Sequence, residues 1–174
     1  DTKDVTIGSN AVFTGFTTNV SAGGAIKALN GFTIEGGARF EGNTAAWSAE
    51  TADPASAWGG GALYINQYEN RGKETIEGND PMNIGSADGP AVVFSGNKAT
   101  STVTGNWKGF GRGGIGGAIA IDYAPEVTIT NTRFTQNEAN YGGAIAAWND
   151  GRSALEKPFL VDSFHIVATW AGIG

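Results

Sequence analysis

The chain has 174 residues, enough for one domain, and it carries a formal net charge of −6 with a pI near 4.7. It has no basic stripe and no apolar stretch of the roughly 18 residues that span a bilayer, which argues against nucleic-acid partners and transmembrane helices. With no cysteine and one histidine, it offers no disulfide bonds and no cysteine metal sites, and no metal or other cofactor is expected.

Short strands are predicted along the whole chain, because apolar and polar residues alternate with a period of two. In chain order, such segments begin at Val5, Phe32, Ala62, Ala118 and Val127. No convincing amphipathic helix is found, and 28 glycines would interrupt most helical windows. An all-β protein is therefore expected.

Two short signals alternate between these strands, Phe-x-x-Asn first and then Gly-Gly-Ala-(Ile/Leu), and each occurs four times. The first signal pairs Phe16 with Asn19, Phe40 with Asn43, Phe94 with Asn97 and Phe134 with Asn137. The second begins at Gly23, Gly60, Gly116 and Gly142. The smallest complete unit is 24 to 26 residues long. Self-similarity of this kind is the signature of stacked repeats.

A unit of this length cannot bury an apolar face alone, so successive units must stack on one another. The pattern predicts a right-handed parallel β-helix, a single domain over residues 1–174 with about four or five coils. Each Phe of the signal is expected to stack on the Phe of the next coil. Each Asn is expected to bond backbone groups at a corner, and Gly-Gly to form a turn that a Cβ would obstruct. An antiparallel sandwich or barrel is the alternative.

The two ends of the repeat region are less regular. A degenerate fifth unit is predicted with Phe164 in the Phe position and Val167 in the Asn position. Near the other end, Asn19, Val20 and Ser21 form a glycosylation sequon, but the ladder role is favoured for Asn19. A fragment of a longer repeat array is one plausible origin of the chain.

Three inserted loops exceed the minimal unit, at 44–58, 66–91 and 98–115. The segments 44–58 and 98–115 both follow Phe-x-x-Asn in consecutive coils, so they should emerge side by side from one corner. They carry the candidate partner-binding residues Trp47, Trp58, Trp107 and Phe110. Two interpretations stay open: these aromatic side chains anchor a protein or glycan partner, or they fold down to cover an apolar face. The segment 66–91 is predicted to be a solvated loop.

The combination of Phe-x-x-Asn with Gly-Gly-Ala-(Ile/Leu) resembles the repeat of the chlamydial polymorphic outer membrane proteins. The resemblance runs from Phe16 to Ile145, about three quarters of the chain. Members of that family are autotransporters whose β-helical passenger domains lie outside the cell and adhere to host surfaces. The resemblance therefore implies a right-handed β-helix, an extracellular or cell-surface location and a role in adhesion.

Catalytic chemistry is weakly represented in the sequence. Acidic residues are scattered rather than paired, and His165 has no nearby nucleophile, so no catalytic residue is assigned. At Asp80 and Asp150 an Asx turn is favoured over calcium binding.

Three functions remain in competition after this search. The first is a non-enzymatic, extracytoplasmic, adhesin-like binding module. The second is a structural or accessory subunit of a larger, membrane-associated assembly, which would contact its neighbours through exposed coil ends. A polysaccharide lyase or hydrolase is a distant third.

Overall fold

The fold is a parallel β-solenoid in which the chain passes through the same four sheets, A, B, C and D, in every coil. The structure is a computed structural model that describes residues 5–19, 21–29, 31–47, 59–66, 81–102, 106–107, 110–111, 114–123, 127–147, 160–162 and 165–167. These residues form four coils and the first two strands of a fifth. The predicted all-β solenoid of stacked units is confirmed.

Each sheet takes one strand from each successive coil, and all neighbouring strands within the four sheets are parallel. Sheet A contains β1 (Thr6–Ile7), β5 (Thr33–Ile34), β9 (Met82–Ile84), β15 (Val127–Thr130) and β19 (Leu160–Asp162). Sheet B contains β2 (Val12–Thr14), β6 (Arg39–Glu41), β10 (Val92–Ser95), β16 (Thr132–Thr135) and β20 (His165–Val167). Sheet C contains β3 (Thr17–Thr18), β7 (Thr44–Trp47), β11 (Lys98–Ser101) and β17 (Glu138–Ala139). Sheet D contains β4 (Ile26–Ala28), β8 (Leu63–Asn66), β14 (Ile119–Tyr123) and β18 (Ile145–Ala147).

The hydrophobic core lies between sheets A, B and D and consists of side-chain columns that run along the solenoid. On sheet B, the rings of Phe40 and Phe94 stack with centroids 4.7 Å apart, and those of Phe94 and Phe134 stack at 5.2 Å. Parallel rings at these separations follow from the spacing of neighbouring strands. On sheet A, Ile34, Ile84 and Ile129 form a second column in the same register. The predicted stacking of Phe40, Phe94 and Phe134 is confirmed.

A ladder of asparagine amides joins the coils at the corner between sheets B and C. The Oδ1 of Asn97 accepts hydrogen bonds from the backbone N of Asn43, at 3.1 Å, and from its Nδ2, at 2.9 Å. Asn97 Nδ2 donates in turn to the carbonyl of Phe40, at 2.9 Å, and to Asn137 Oδ1, also at 2.9 Å. Asn43 and Asn97 are completely buried, so these bonds satisfy groups that water cannot reach.

The first coil departs from the predicted ladder, because Phe16 and Asn19 are not its members. Phe13 lies opposite Phe40 in the sheet B register and stacks on it at 4.8 Å, which leaves Phe16 at the position of the ladder asparagine. Phe16 is 51% exposed and Asn19 is exposed. The physical reason is a corner of left-handed backbone that follows each stacked Phe by two residues, with φ of 69° at Gly15, 62° at Gly42 and 62° at Gly96. In the first coil, Gly15 follows Phe13 by two residues, whereas Thr18 takes the corresponding place after Phe16.

Two further predictions need correction. In the fifth coil, Ile166 lies opposite Phe134, so the stacked position belongs to Ile166 and not to Phe164, which lies outside the described residues. In the segment 66–91, predicted to be a solvated loop, β9 (Met82–Ile84) is the sheet A strand of the third coil, with Met82 and Ile84 completely buried. This strand is only three residues long, too short for its alternation to stand out in the sequence.

Replacing Asn97 with alanine is expected to lower the free energy of unfolding by about 3 kcal/mol or more, because buried groups of Asn43 and Phe40 would lose their partners. The exposed Asn19 is the matched control, and Asn19→Ala should change stability by no more than about 0.5 kcal/mol. Urea denaturation measures both values. Equal costs for the two variants would contradict a ladder that joins the coils through Asn97.

Candidate binding face

Sheet C lies outside the hydrophobic core, since none of its described residues belongs to the cluster between sheets A, B and D. The strands of sheet C begin the part of each coil that leaves the core after the ladder position. This part returns to the core at the Gly-Gly pair. We call these segments excursions, and they span 17–22, 44–59, 98–115 and 138–141 in the four coils. The excursions of the second and third coils have 16 and 18 residues, against six and four in the first and fourth.

Backbone packing at the Gly-Gly corner fixes where each excursion returns to the core. The first glycine of each pair has a positive φ, which is 72° at Gly60 and 66° at Gly116. In the first three coils the second glycine has no room for a side chain: a Cβ on Gly117, for example, would overlap the carbonyl oxygen of Gly143 and lie 2.7 Å from the backbone of Glu138, where the fourth excursion begins. The predicted need for glycine at this turn is confirmed.

The two long excursions run side by side at their bases. On the outgoing side, Thr44 to Trp47 pair residue by residue with Lys98 to Ser101. On the returning side, Gly59 forms a parallel bridge with Ile115, which forms another with Tyr141. The prediction that these two segments emerge together from one corner is confirmed by the pairing at their starts and at their ends.

Trp47 occupies the last position of a coil strand rather than the loop in which the sequence places it. Its side chain is 2% exposed, and its indole Nε1 has no hydrogen-bond acceptor among the residues that the structure describes. Its carbonyl accepts bonds from the backbone N of Thr102 at 3.0 Å and from Thr102 Oγ1 at 3.3 Å. Of the two interpretations of these aromatic residues, the structure therefore shows the second for Trp47: its side chain is buried and not exposed to a partner. The signal that could have revealed it is the alternation in β7, where Ala45 and Trp47 share the buried face.

Trp107 and Phe110 lie farther along the third excursion, on a short antiparallel hairpin of β12 (Asn106–Trp107) and β13 (Phe110–Gly111). They are directly opposite each other in its register. The sequence predicts both as partner-binding residues but does not predict the hairpin that pairs them. Trp58, the remaining candidate, lies outside the described residues.

Two ion pairs lie on the described surface of sheets B and C. Lys98 Nζ lies 2.9 Å from Glu138 Oε2 and bridges the third and fourth coils across sheet C, while Arg39 pairs with Glu41 on sheet B. Within the described ranges there is no group of three or more His, Asp or Glu side chains that could hold a metal ion. No helix in the same ranges has the length and apolar character needed to cross a bilayer.

Comparisons of the chain with protein-family models, with curated proteins and with solved structures find no match. The fold assignment therefore depends on the strand register and the side-chain columns described above. Function is inferred from the arrangement of the excursions.

Gly117→Ala is expected to lower the free energy of unfolding by about 3 kcal/mol or more, because the new Cβ would force backbone apart in two coils. Gly42→Ala is the control. Gly42 also has a positive φ, of 62°, but no atom lies within 4 Å of the position that its Cβ would take, so strain of only about 1–2 kcal/mol is expected. Urea denaturation distinguishes the two, and a Gly117→Ala protein as stable as Gly42→Ala would refute close packing at this corner.

Trp47 should stabilise the base of the excursion by packing and not by hydrogen bonding. Trp47→Ala is expected to cost about 3–5 kcal/mol, as for other buried aromatic side chains. Trp47→Phe should cost clearly less, because the lost indole N–H has no acceptor. Thermal and urea unfolding measure both, and equal losses would show that the N–H makes a bond essential to stability.

Proposed function

We propose that the chain is a non-enzymatic, extracytoplasmic binding module of the adhesin type, which contacts a protein or glycan through its two long excursions. The observation that carries this proposal is the double register at their bases, where β7 pairs with β11 and Gly59 pairs with Ile115. Binding residues are most often found on loops held by a rigid scaffold. Here the scaffold is the ladder and the core of sheets A, B and D.

Aromatic residues of the third excursion are the best candidates for anchors. Trp107 and Phe110 are opposite each other in the register of a hairpin, so their backbones lie at one point of the excursion. Tryptophan and other aromatic residues contribute most of the affinity in many interfaces, because they bury a large area at a small entropic cost. Trp47 is buried at the end of β7 and is not offered as a contact residue.

The extracytoplasmic location and the adhesive role rest on two further considerations. The repeat resembles that of β-helical passenger domains on bacterial surfaces. The chain is also poor in charge, with 16% charged residues. This low charge is compatible with a secreted repeat protein.

The proposal is tested with fluorescently labelled chain on an array of neutral and acidic glycans and on fixed epithelial cells. The double variant Trp107→Ala with Phe110→Ala should bind at least about tenfold more weakly, the loss typical of interface hot spots. Its urea midpoint should stay close to that of the parent chain.

Phe16→Ala is the matched control, since Phe16 is an exposed aromatic residue on the first coil, far along the chain from the hairpin of the third excursion. It should leave binding unchanged. Binding that is lost in Phe16→Ala and kept in the double variant would refute the proposed face, as would the absence of binding to every probe.

The non-enzymatic part of the proposal has its own measurement. The chain is incubated with acidic and neutral polysaccharides, with and without calcium, and reducing and unsaturated ends are quantified. No release is expected. Release that depends on the chain would overturn this part of the proposal and favour a lyase or hydrolase.

A further inference from the structure

Asn19 matches the repeat signal, but the fold does not use its side chain. The ladder residues Asn43 and Asn97 are completely buried and bond the backbone of neighbouring coils. Asn19 instead lies in a bend directly after β3, and its side chain is exposed. Within the described ranges, no hydrogen bond or ion pair involves that side chain. Its amide nitrogen is therefore open to chemistry from outside the fold.

The bend around Asn19 is closed by its neighbours. The backbone N–H of Ser21 donates to Thr18 Oγ1 at 3.2 Å, and Ser21 Oγ donates to the carbonyl of Ala22 at 3.3 Å. Asparagine side chains often close turns by accepting a backbone bond of this kind. Here Thr18 accepts it, so the turn does not require the amide of Asn19.

The sequon identified in the sequence falls on this exposed asparagine. Ser21 stands two positions after Asn19, with Val20 rather than proline between them, which satisfies the motif for N-linked glycosylation. No other asparagine in the chain has Ser or Thr two positions later. At the three ladder asparagines that position is alanine: Ala45, Ala99 and Ala139.

We propose that Asn19 is an acceptor site for an N-linked oligosaccharide. The donor is an oligosaccharide carried on a polyprenyl diphosphate, and a membrane-bound oligosaccharyltransferase catalyses the transfer. Asn19 Nδ2 forms a bond to the anomeric carbon of the first sugar, and the bond between that carbon and the phosphate oxygen breaks. The polyprenyl diphosphate leaves with the electron pair, and Nδ2 gives up one proton.

The fold accommodates a sugar at this position. Thr17 and Thr18 pair with Thr44 and Ala45 at the base of the second excursion, and Asn19 follows the last paired residue. A sugar on its amide therefore displaces no described strand pairing and no ladder bond. The Nδ2 of Asn137, by contrast, donates to the carbonyl of Phe94 at 3.0 Å, so a sugar there would push two coils apart.

This proposal shares only the extracytoplasmic location with the proposed binding function, because N-linked glycans mark surface loops of secreted proteins. It does not depend on Trp107, on Phe110 or on any partner. Glycan attachment and partner binding are measured separately, so either can fail without the other.

The test uses the chain expressed behind a cleavable signal peptide in cultured mammalian cells. The secreted protein is analysed by intact mass spectrometry before and after treatment with peptide N-glycosidase. Most of it should carry one oligosaccharide, whose removal leaves an aspartate that peptide sequencing places at position 19. Asn19→Gln and Ser21→Ala should each abolish the mass shift, and Ser21→Thr should keep it. An unmodified parent chain, or a mass shift that persists in Asn19→Gln, overturns the proposal.

Ala139→Ser is the matched control, because it creates the same motif at the ladder residue Asn137. Ala139 is half-buried, and serine is a small replacement there. The secreted, folded variant should carry a glycan on Asn19 alone. Equal occupancy of both asparagines, in protein with the urea midpoint of the parent chain, would show that exposure in the fold does not select the site and would contradict the proposal.

The stability of the glycosylated chain provides a second readout. Glycosylated and enzymatically deglycosylated protein should have the same urea midpoint, because the Asn19 side chain makes no described bond that a sugar would break. A clearly lower midpoint for the glycosylated form would show that the fold does not accommodate the sugar, and the proposal would be wrong. If the chain is not secreted, translation in vitro with microsomal membranes gives the same comparison of masses.

Discussion

The buried asparagine amide is the interaction on which the rest of this structure depends. One side chain, Asn97, bonds the coil before it through its oxygen and nitrogen, and the same residue bonds the coil after it through that nitrogen and its backbone N–H. A shift of one residue in any strand would leave these groups buried and unpaired, at a cost of about 1–3 kcal/mol for each. The ladder therefore sets the register in which the phenylalanine rings stack and the excursions pair.

The ladder is also directional. Each oxygen accepts from the preceding coil, so successive amides point the same way and polarise one another. A directional column has two chemically different ends. At the first end, the side-chain position is filled by Phe16, whose ring has no amide group to continue the ladder; its backbone N–H donates to Asn43 Oδ1 at 3.1 Å, and its carbonyl accepts from Thr44 N at 2.8 Å.

The architecture was predictable because the same physical requirements recur in every coil. Stacked rings, buried amides and Cβ-free corners leave few acceptable residues, so Phe, Asn and Gly-Gly return at fixed spacing. The common origin of the two long excursions followed from this spacing alone. The sequence could also have identified Phe13, since Phe13 and Gly15 repeat the spacing of Phe40 and Gly42.

Other features depended on contacts that local spacing does not contain. Phe16 and Asn19 match the signal, and only the pairing between coils shows that they lie outside the stack and the ladder. The hairpin of Trp107 and Phe110 depends on pairing within one excursion. The surface of the protein determines which partner it binds. The repeat specifies residues of the core and therefore carries little information about the partner.

The exclusion of sheet C from the core has a consequence for how such a protein can change. An excursion of four residues and one of 18 are both closed by the same glycine corner, so their length is not coupled to the packing of the solenoid. Beyond the buried and paired bases of the long excursions, sequence could be added at little thermodynamic cost, since loop entropy grows slowly with length. New recognition sequences could therefore be placed in the excursions without redesigning the coils that carry them.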